Sequence, residues 1–234
     1  NNTIVADYDY YNFGALQKIT YPGQGSSEFT YDNALRLTAQ INKLADNTVT
    51  NTYAYTYDKN GNQLTKTDNG STTSYVYDNV GQLMRVNNPD GTRTEYGIEG
   101  HGNIEVKIVT HPDNYTYTYT AYGDEYTIEN VYEEEIWYSY NDNNRLINET
   151  IYLYSEETEE PTVLTKAYFY DENGNLTMEE FCVPEFPGES VDTREYYYNE
   201  LNQLVGYMGI TYTYAPDGMR RSKTNNGTET KFYW

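Results

Sequence analysis

Cysteine and the large aliphatic residues, which commonly stabilise globular proteins, are scarce in this chain of 234 residues. Cys182 is the only cysteine, so no disulfide can form within the chain. Leu, Ile, Val and Phe are sparse, and no apolar run is long enough to cross a membrane as a helix. We therefore expect no membrane insertion. Stability has to come from the pairing of strands and from side-chain packing.

Basic residues are also scarce. Fifteen Lys and Arg residues stand against 36 Asp and Glu residues, which gives a net charge of −21. No nucleic-acid partner is expected, because phosphate binding requires a basic patch. The acidity favours solubility, and repulsion between molecules opposes the pairing of exposed sheet edges.

Tyrosine is what the sequence has in abundance, with 30 residues, and aromatic residues make up 16% of the chain. Low aliphatic content and high net charge are typical of disordered chains, but such chains are poor in aromatic residues. Tyr, Thr and Val favour strands, and tyrosine can bury its ring while its hydroxyl stays in water. The composition therefore predicts an extended β-structure built largely from tyrosine.

A short unit recurs along the whole chain. Two aromatic residues stand two apart, followed by Asp or Asn, then by Gly four residues after the second aromatic residue, then by Leu. The clearest copies are 75–83 and 168–176. The second aromatic residues are Tyr10, Tyr31, Tyr57, Tyr77, Tyr96, Tyr119, Tyr140, Tyr170, Tyr198 and Tyr214. Their mean spacing of about 23 residues lies in the range of repeat arrays.

Three of these copies depart from the unit, and in that of Tyr119 the glycine position is assigned to Gly123, with Thr120 where Asp is expected. The copy of Tyr57 is interpreted with one extra residue before Leu64. In the copy of Tyr96, the glycine position is assigned to Gly100 and no Asp follows the tyrosine. The glycine-rich stretch 97–102 lacks the Lys-Ser/Thr of a phosphate loop, so it is interpreted as a β-bulge or a wide turn.

Each position of the unit has a physical interpretation. Side chains alternate along a strand, so Tyr-x-Tyr places two rings on one face. Asp starts a turn by bonding the backbone two residues on, Gly suits a positive φ, and Leu returns to the buried face. The residues given these structural roles in the best copies are Tyr31, Asp32, Tyr57, Asp58, Gly61, Tyr77, Asp78, Gly81, Tyr170, Asp171 and Gly174.

A second turn closes each unit, and turn-forming residues stand at 68–70, 88–91, 112–114, 187–188 and 225–227. Each repeat is thus one hairpin, joined antiparallel to its neighbours, and stacked hairpins share rows of tyrosine. We predict an all-β fold with about ten tandem antiparallel β-hairpin repeats over residues 1–234. So many strands favour a curved or spiralling meander sheet.

These residues resemble the unit of the YD-repeat family, also called the RHS-repeat family. The best matches are 57–62, 77–81 and 170–176, and 214–224 resembles the repeat that precedes the family's core segment. Members include bacterial polymorphic toxins, insecticidal toxin-complex subunits and teneurins, whose repeats form a spiralling sheet that closes into a hollow shell. The resemblance implies a partial shell here, because the chain is too short for a full one and stops before the core segment, self-cleavage site and toxin tip.

The function implied by this resemblance is a non-catalytic scaffold or shell segment, excised from a larger bacterial protein that is secreted or associated with the cell surface or cell wall. It would enclose or display a neighbouring domain, in the toxins a C-terminal effector. Its partners would be the remainder of the parent chain. The alternative is an adhesin-like module that binds carbohydrate or a host protein through rows of tyrosine, with Trp137, Tyr138 and Tyr140 as the candidate platform.

No catalytic or metal-binding motif stands out. His101 and His111 are the only histidines, and neither has a Ser, Cys or acid at a recognisable spacing. The segments from Asp58 and Asp171 superficially resemble calcium loops, but the Glu that closes an EF-hand loop is missing and turn chemistry explains both. The 36 acidic residues guarantee chance pairs of carboxylates, of which none stands out as a glycosidase pair. We expect no enzyme activity, no catalytic residue, no metal and no cofactor.

Overall fold

The computed structural model describes residues 5–121, 124–183 and 192–233. Within these ranges, the regular secondary structure consists of nineteen β-strands. No helix in the described part of the chain is long and apolar enough to cross a membrane. The all-β prediction is confirmed. The chain divides into two compact units, Asn1–Tyr96 and Gly97–Trp234, each of which is described by itself.

The first unit is an antiparallel meander in which consecutive strands pair. Its strands are β1 (Asp7–Tyr10), β2 (Leu16–Tyr21), β3 (Gly25–Tyr31), β4 (Leu37–Leu44), β5 (Val49–Tyr57), β6 (Gln63–Asp68), β7 (Ser71–Tyr77), β8 (Leu83–Asn87) and β9 (Arg93–Ile98), whose last residues belong to the second unit.

The second unit continues the same connectivity, and its first two strands are twice the usual length. Its strands are β10 (Ile104–Ala121), β11 (Asp124–Tyr140), β12 (Leu146–Ser155), β13 (Thr162–Tyr170), β14 (Leu176–Cys182), β15 (Asp192–Tyr198), β16 (Leu204–Tyr207), β17 (Ile210–Tyr214), β18 (Arg220–Asn225) and β19 (Thr228–Lys231). The predicted series of antiparallel hairpins is therefore confirmed.

One turn geometry follows the aromatic strand nine times in the described ranges. At Asp58, the backbone N donates to the carbonyl of Asn62 at 2.9 Å, and Gly61 N donates back to Asp58 O at 3.3 Å. This is a type I turn followed by a left-handed residue, the common longer hairpin connection. The nine left-handed residues are Gly14, Leu35, Gly61, Gly81, Gly102, Asn144, Gly174, Asn202 and Gly218.

The copy of Tyr57 contains no extra residue, so that interpretation is wrong. Tyr57 pairs with Gln63, just as Tyr77 pairs with Leu83 in the next hairpin. Gln63 therefore occupies the leucine position of the unit. Leu64 lies one residue later and faces the opposite side of β6, because strand side chains alternate.

The copy assigned to Tyr96 begins two residues later than the sequence suggested. Glu99 N donates to Asn103 O at 2.9 Å, and Gly102 N donates to Glu99 O at 2.9 Å. Ile98 thus occupies the position of the second tyrosine and Glu99 that of the Asp. Because the usual residue types are absent at both positions, the sequence pattern placed this copy two residues too early. The stretch forms the common turn of the array, with its left-handed glycine at Gly102 rather than at Gly100.

The predicted turn at 112–114 is also wrong. These residues lie inside β10, where the register with β11 shifts between Thr110 and Tyr115. Pro112 lacks the N–H that an unbroken ladder requires, so such an irregularity is where a proline fits a strand. The predicted turn at 187–188 and the glycine position assigned to Gly123 lie outside the described residues.

The buried core of the second unit lies where β10 folds over the sheet. Val131, Leu153 and Leu164 are fully buried and pack in one cluster with Tyr119. The Tyr119 ring of β10 lies 6.0 Å from the Phe181 ring of β14. Three strands separate β10 from β14 in the ladder, which within a sheet corresponds to about 19 Å. The distal part of the β10–β11 hairpin therefore lies on the face of β12–β14.

Candidate functional site

In six of the nine hairpins with this turn in the described ranges, an Asp or Asn organises the turn that follows it. In the turn at Asp58, Oδ1 accepts hydrogen bonds from the backbone N of Asn60 at 2.9 Å and of Asn62 at 2.8 Å. At Asp171, the side chain of Asn175 donates to Oδ2 at 2.9 Å. This bond is the main reason that the pKa of Asp171 lies below its usual value. The charged form of the carboxylate is therefore the one that stabilises the turn.

The same contact recurs with either Asp or Asn at that position. In four further hairpins the Oδ1 acceptors and their backbone donors are Asp32 with Ala34 and Arg36, Asp78 with Val80 and Gln82, Asn141 with Asn143 and Arg145, and Asn199 with Leu201 and Gln203. Because Asn serves as well as Asp, an acceptor oxygen is what the turn requires. The calcium-loop resemblance at Asp58 and Asp171 follows from this geometry.

The second tyrosine of the unit links one hairpin to the preceding one. Its hydroxyl donates to the backbone carbonyl at the leucine position of the previous repeat. The pairs within the described part of the chain are Tyr57 with Leu37 at 2.8 Å, Tyr140 with Ile104 at 2.9 Å, Tyr170 with Leu146 at 2.8 Å and Tyr214 with Leu204 at 2.8 Å. Burial raises the pKa of Tyr57, Tyr140 and Tyr170, so these phenols stay protonated as donors.

A further position of the repeat, immediately before the leucine, also connects neighbouring hairpins. Arg36 Nη1 donates to the carbonyl of Asp58 in the next turn at 2.7 Å. Its guanidinium lies 4.8 Å from the centre of the Tyr57 ring, which is within cation–π range. Sequence reasoning assigned no role to this position.

Asn and Gln take the same position in other repeats. Asn175 Nδ2 donates to Asn202 Oδ1 in the next turn at 3.1 Å, and Asn103 Nδ2 donates to Asn144 Oδ1 at 3.2 Å. The signal was present in the sequence, because Arg, Asn or Gln stands directly before the leucine position in seven of the nine hairpins. They are Arg36, Asn62, Gln82, Asn103, Arg145, Asn175 and Gln203.

The proposed platform residues do not form one surface. Trp137 pairs with Thr150 and Tyr138 with Glu149 in an unbroken stretch of register, so the two aromatic side chains lie on opposite faces of β11. Trp137 Nε1 donates to Glu135 Oε1 at 2.9 Å on its own face. The structure places Tyr140 on the face of Tyr138, where its hydroxyl makes the link between repeats.

The two histidines are likewise separate. His101 is largely exposed beside the glycine of its turn, 3.8 Å from Glu99. His111 lies in the irregular part of β10, with Nε2 3.1 Å from Glu134 Oε1, and Tyr115 donates its hydroxyl to that same oxygen. Burial, followed by this bond, raises the pKa of Tyr115. No three His, Cys, Asp or Glu side chains in the described ranges are arranged to hold a metal ion.

An aromatic cleft lies between the distal part of β10 and the sheet face of β13–β15. It has a volume of about 300 Å³. Its lining comprises Tyr117, Thr118, Tyr119, Lys166, Tyr168, Glu179, Glu180, Phe181, Asp192 and Arg194. We call this site the unit 2 cleft. Sequence reasoning could not find it, because it depends on β10 folding over the sheet.

Comparisons with known proteins agree with the repeat pattern. Residues 57–93 match the family model described as RHS Repeat. No curated protein matches the chain. Solved structures also share the fold, among them the following two. One is titled "Crystal Structure of TcdB2-TccC3-Cdc42", with a TM-score of 0.67 and 17% identity, and the other is TcdB2-TccC3 without its hypervariable C-terminal region, with a TM-score of 0.64 and 18% identity.

The matches cover 94% and 95% of this chain but only 12% of each solved chain. The chain therefore spans about an eighth of the length of the structures that it matches. At these identities the likeness establishes the fold, and the family model independently identifies the repeat. The chain thus carries an RHS repeat at residues 57–93, as its sequence suggested, on a fold that it shares with these structures.

Proposed function

We propose that the chain is a non-catalytic wall segment of a larger secreted or surface protein, in which it encloses or displays a neighbouring domain. The observation that carries the proposal is how the recurring side chains are used. The Asp holds its own turn, the second tyrosine bonds the previous hairpin, and the residue before the leucine contacts the next turn. The residue types that repeat most faithfully thus stabilise the array itself.

The comparisons support the same role. The chain matches 12% of each of two much longer solved chains, and one of those structures also contains Cdc42 according to its title. In our proposal residues 1–234 are one stretch of an array that continues in the parent protein. Its partners are then further repeats, the core segment and a C-terminal effector. Location outside the cell or at its surface belongs to the same proposal.

Limited proteolysis of the parent protein tests the enclosing role. We expect the neighbouring domain to resist protease while the wall is folded, and to be cut at the rate of the isolated domain once the wall is weakened. Asp78→Ala together with Asp171→Ala weakens it by removing the turn acceptors. The matched control is Asp78→Asn together with Asp171→Asn, because Asn keeps an acceptor oxygen and occurs naturally at this position in two repeats.

A neighbouring domain that is cut equally fast with the folded wall and alone would contradict enclosure. Chemical labelling of that domain on intact cells then decides whether it is displayed. If the domain is neither protected nor accessible from outside the cell, the wall proposal fails.

A further inference from the structure

The residues that line the unit 2 cleft all lie in β-strands, namely β10, β13, β14 and β15. On one side, Tyr117 and Tyr119 belong to the hydrophobic cluster of the second unit. On the other side, Phe181 packs against that same cluster and lies 6.0 Å from Tyr119, ring to ring. Tyr168 is held by a bond from its hydroxyl to Glu149 Oε1 at 2.9 Å. The walls of the cleft are therefore aromatic and fixed in place.

The charges of the cleft favour a cation. On the sheet face that borders the cleft, Lys166 and Arg194 stand among the carboxylates of Glu149, Glu179 and Asp192, while Glu180 projects to the opposite face of β14. The two basic groups already lie beside acids, since Arg194 is 3.5 Å from Asp192 and 3.8 Å from Glu179. Lys166 is 3.6 Å from Glu149, which lies outside the lining. The local balance is therefore negative, as is that of the whole chain.

The pKa values of two lining tyrosines also reflect the nearby negative charges. The pKa of Tyr117 is raised, first by burial and then by the negative charges of Glu134 and Glu149. The pKa of Tyr168 is raised by burial, by its bond to Glu149 and by the charge of Glu179. Burial disfavours a charge of either sign, whereas the carboxylate charges that add to it oppose a phenolate and attract a cation. Neutral tyrosine rings also present their negative faces to it.

We propose that the unit 2 cleft binds the guanidinium or ammonium group of a basic side chain carried by an extended polypeptide. The volume lies at the lower end of ligand pockets, which suits one inserted side chain better than a large ligand. The cation lies against Tyr117 and Tyr168, while Glu179 and Asp192 accept its hydrogen bonds. The inference deepens the proposed wall function, on which the choice of a polypeptide partner rests, by naming the chemistry of what the wall holds.

The test is a titration of the 234-residue chain with the peptide Ac-Gly-Arg-Gly-NH2, followed by NMR of the backbone amides. The neutral comparison is the same peptide with citrulline, which has nearly the shape of arginine without its charge. We expect shifts that concentrate at the cleft residues and saturate, with binding of the citrulline peptide weaker by about tenfold. The lysine peptide should bind at a similar site.

Variants separate site binding from attraction to an acidic surface. Glu179→Gln with Asp192→Asn should weaken arginine-peptide binding by about tenfold. Glu159→Gln with Glu160→Gln removes the same charge from an exposed loop and should leave binding unchanged. Arg194→Gln removes a competing cation, so it should strengthen binding. This opposite sign keeps the test informative should the double variant fold poorly.

Three results would overturn the inference. The citrulline peptide could bind as tightly as the arginine peptide, the loop variant could weaken binding as much as the cleft variant, or Arg194→Gln could weaken binding, as expected of an anion site. None of these bears on the wall role, which the protease test examines without any peptide. Failure of the cleft and failure of the wall are therefore distinguishable.

Discussion

Alkaline pH should unfold this protein at values that most acidic proteins tolerate. Tyrosine hydroxyls link the hairpins, and each link requires a protonated phenol because the acceptor is a carbonyl or a carboxylate. Tyr154 makes a bond with the same requirement within one hairpin, since its hydroxyl donates from β12 to Glu135 Oε2 of β11 at 3.0 Å. Burial, followed by this bond and the Glu135 charge, raises its pKa to about 12.

The sign follows from proton linkage. An unfolded tyrosine ionises near pH ~10, whereas native Tyr154 keeps its proton to about 12. Its contribution is complete below pH ~10 and is lost as the pH rises through 12, because the unfolded state releases its proton first. Two pH units correspond to ~2.7 kcal/mol at most. Screening of this partly exposed phenol by solvent reduces that to ~1 kcal/mol.

Other tyrosines act in the same direction. Burial is the largest cause of a raised pKa for Tyr57, Tyr77, Tyr115, Tyr117, Tyr140, Tyr168, Tyr170, Tyr196 and Tyr198. Their losses add to the ~1 kcal/mol of Tyr154, and ordinary domains are stable by only ~5–15 kcal/mol. We therefore expect cooperative unfolding between pH ~10 and ~12.

The assay follows phenolate absorbance and far-ultraviolet circular dichroism during one alkaline titration. Ionisation of the linking tyrosines and loss of strand signal should coincide. Tyr154→Phe should reduce the loss of unfolding free energy over this range by ~1 kcal/mol. Tyr233→Phe, at a side chain that is 88% exposed, is the control and should change nothing. Independent ionisation of all tyrosines near pH ~10 with the strand signal intact would refute the reasoning.

Further predictions concern single positions of the repeat. Tyr170→Phe should lower the unfolding free energy by ~1–2 kcal/mol in chemical denaturation, because the Leu146 carbonyl loses its donor; an unchanged value would show that water replaces the hydroxyl. Gly174→Ala should destabilise more than Gly61→Ala in thermal melts, because both have positive φ but only at Gly174 would the methyl group meet a neighbouring side chain. Equal losses would assign the whole cost to backbone strain, ~1–2 kcal/mol. Gln63→Leu should raise the melting temperature by a few degrees, roughly the effect of ~1 kcal/mol, because it restores the leucine of the unit; a lower melting temperature would contradict the register.

The sequence predicted the fold class well because the repeat combines local turn chemistry with strand alternation. Both are short-range properties that single residues reveal. Asp58 and Gly61 stand where their turn needs a side-chain acceptor and a positive φ of 97°. The frame was misjudged where a residue of another type carries the same geometry, as Gln63 does for leucine and Ile98 for tyrosine. Backbone register, not residue identity, defines the unit.

The connection between hairpins was harder to foresee. Arg36 belongs to one turn by sequence, but its guanidinium lies on the tyrosine of the next hairpin. No pattern within a single repeat contains that contact. Comparing the copies position by position would have shown that the residue before the leucine is restricted to Arg, Asn or Gln in seven of them. Such restriction at a half-buried polar position indicates a partner outside the repeat.

The largest departure from the repeat is also where the molecule acquires a core and a cleft. Residues 112–114 continue β10 when the pattern calls for a turn, so the hairpin grows to about twice the usual length. A longer hairpin reaches beyond its neighbours, and its apolar residues, such as Val131, can be buried only by folding onto the sheet. Repeated hairpins make one layer, and a layer has no interior in which to enclose a side chain. A local break in the repeat is therefore what allows an array of this kind to form a binding site.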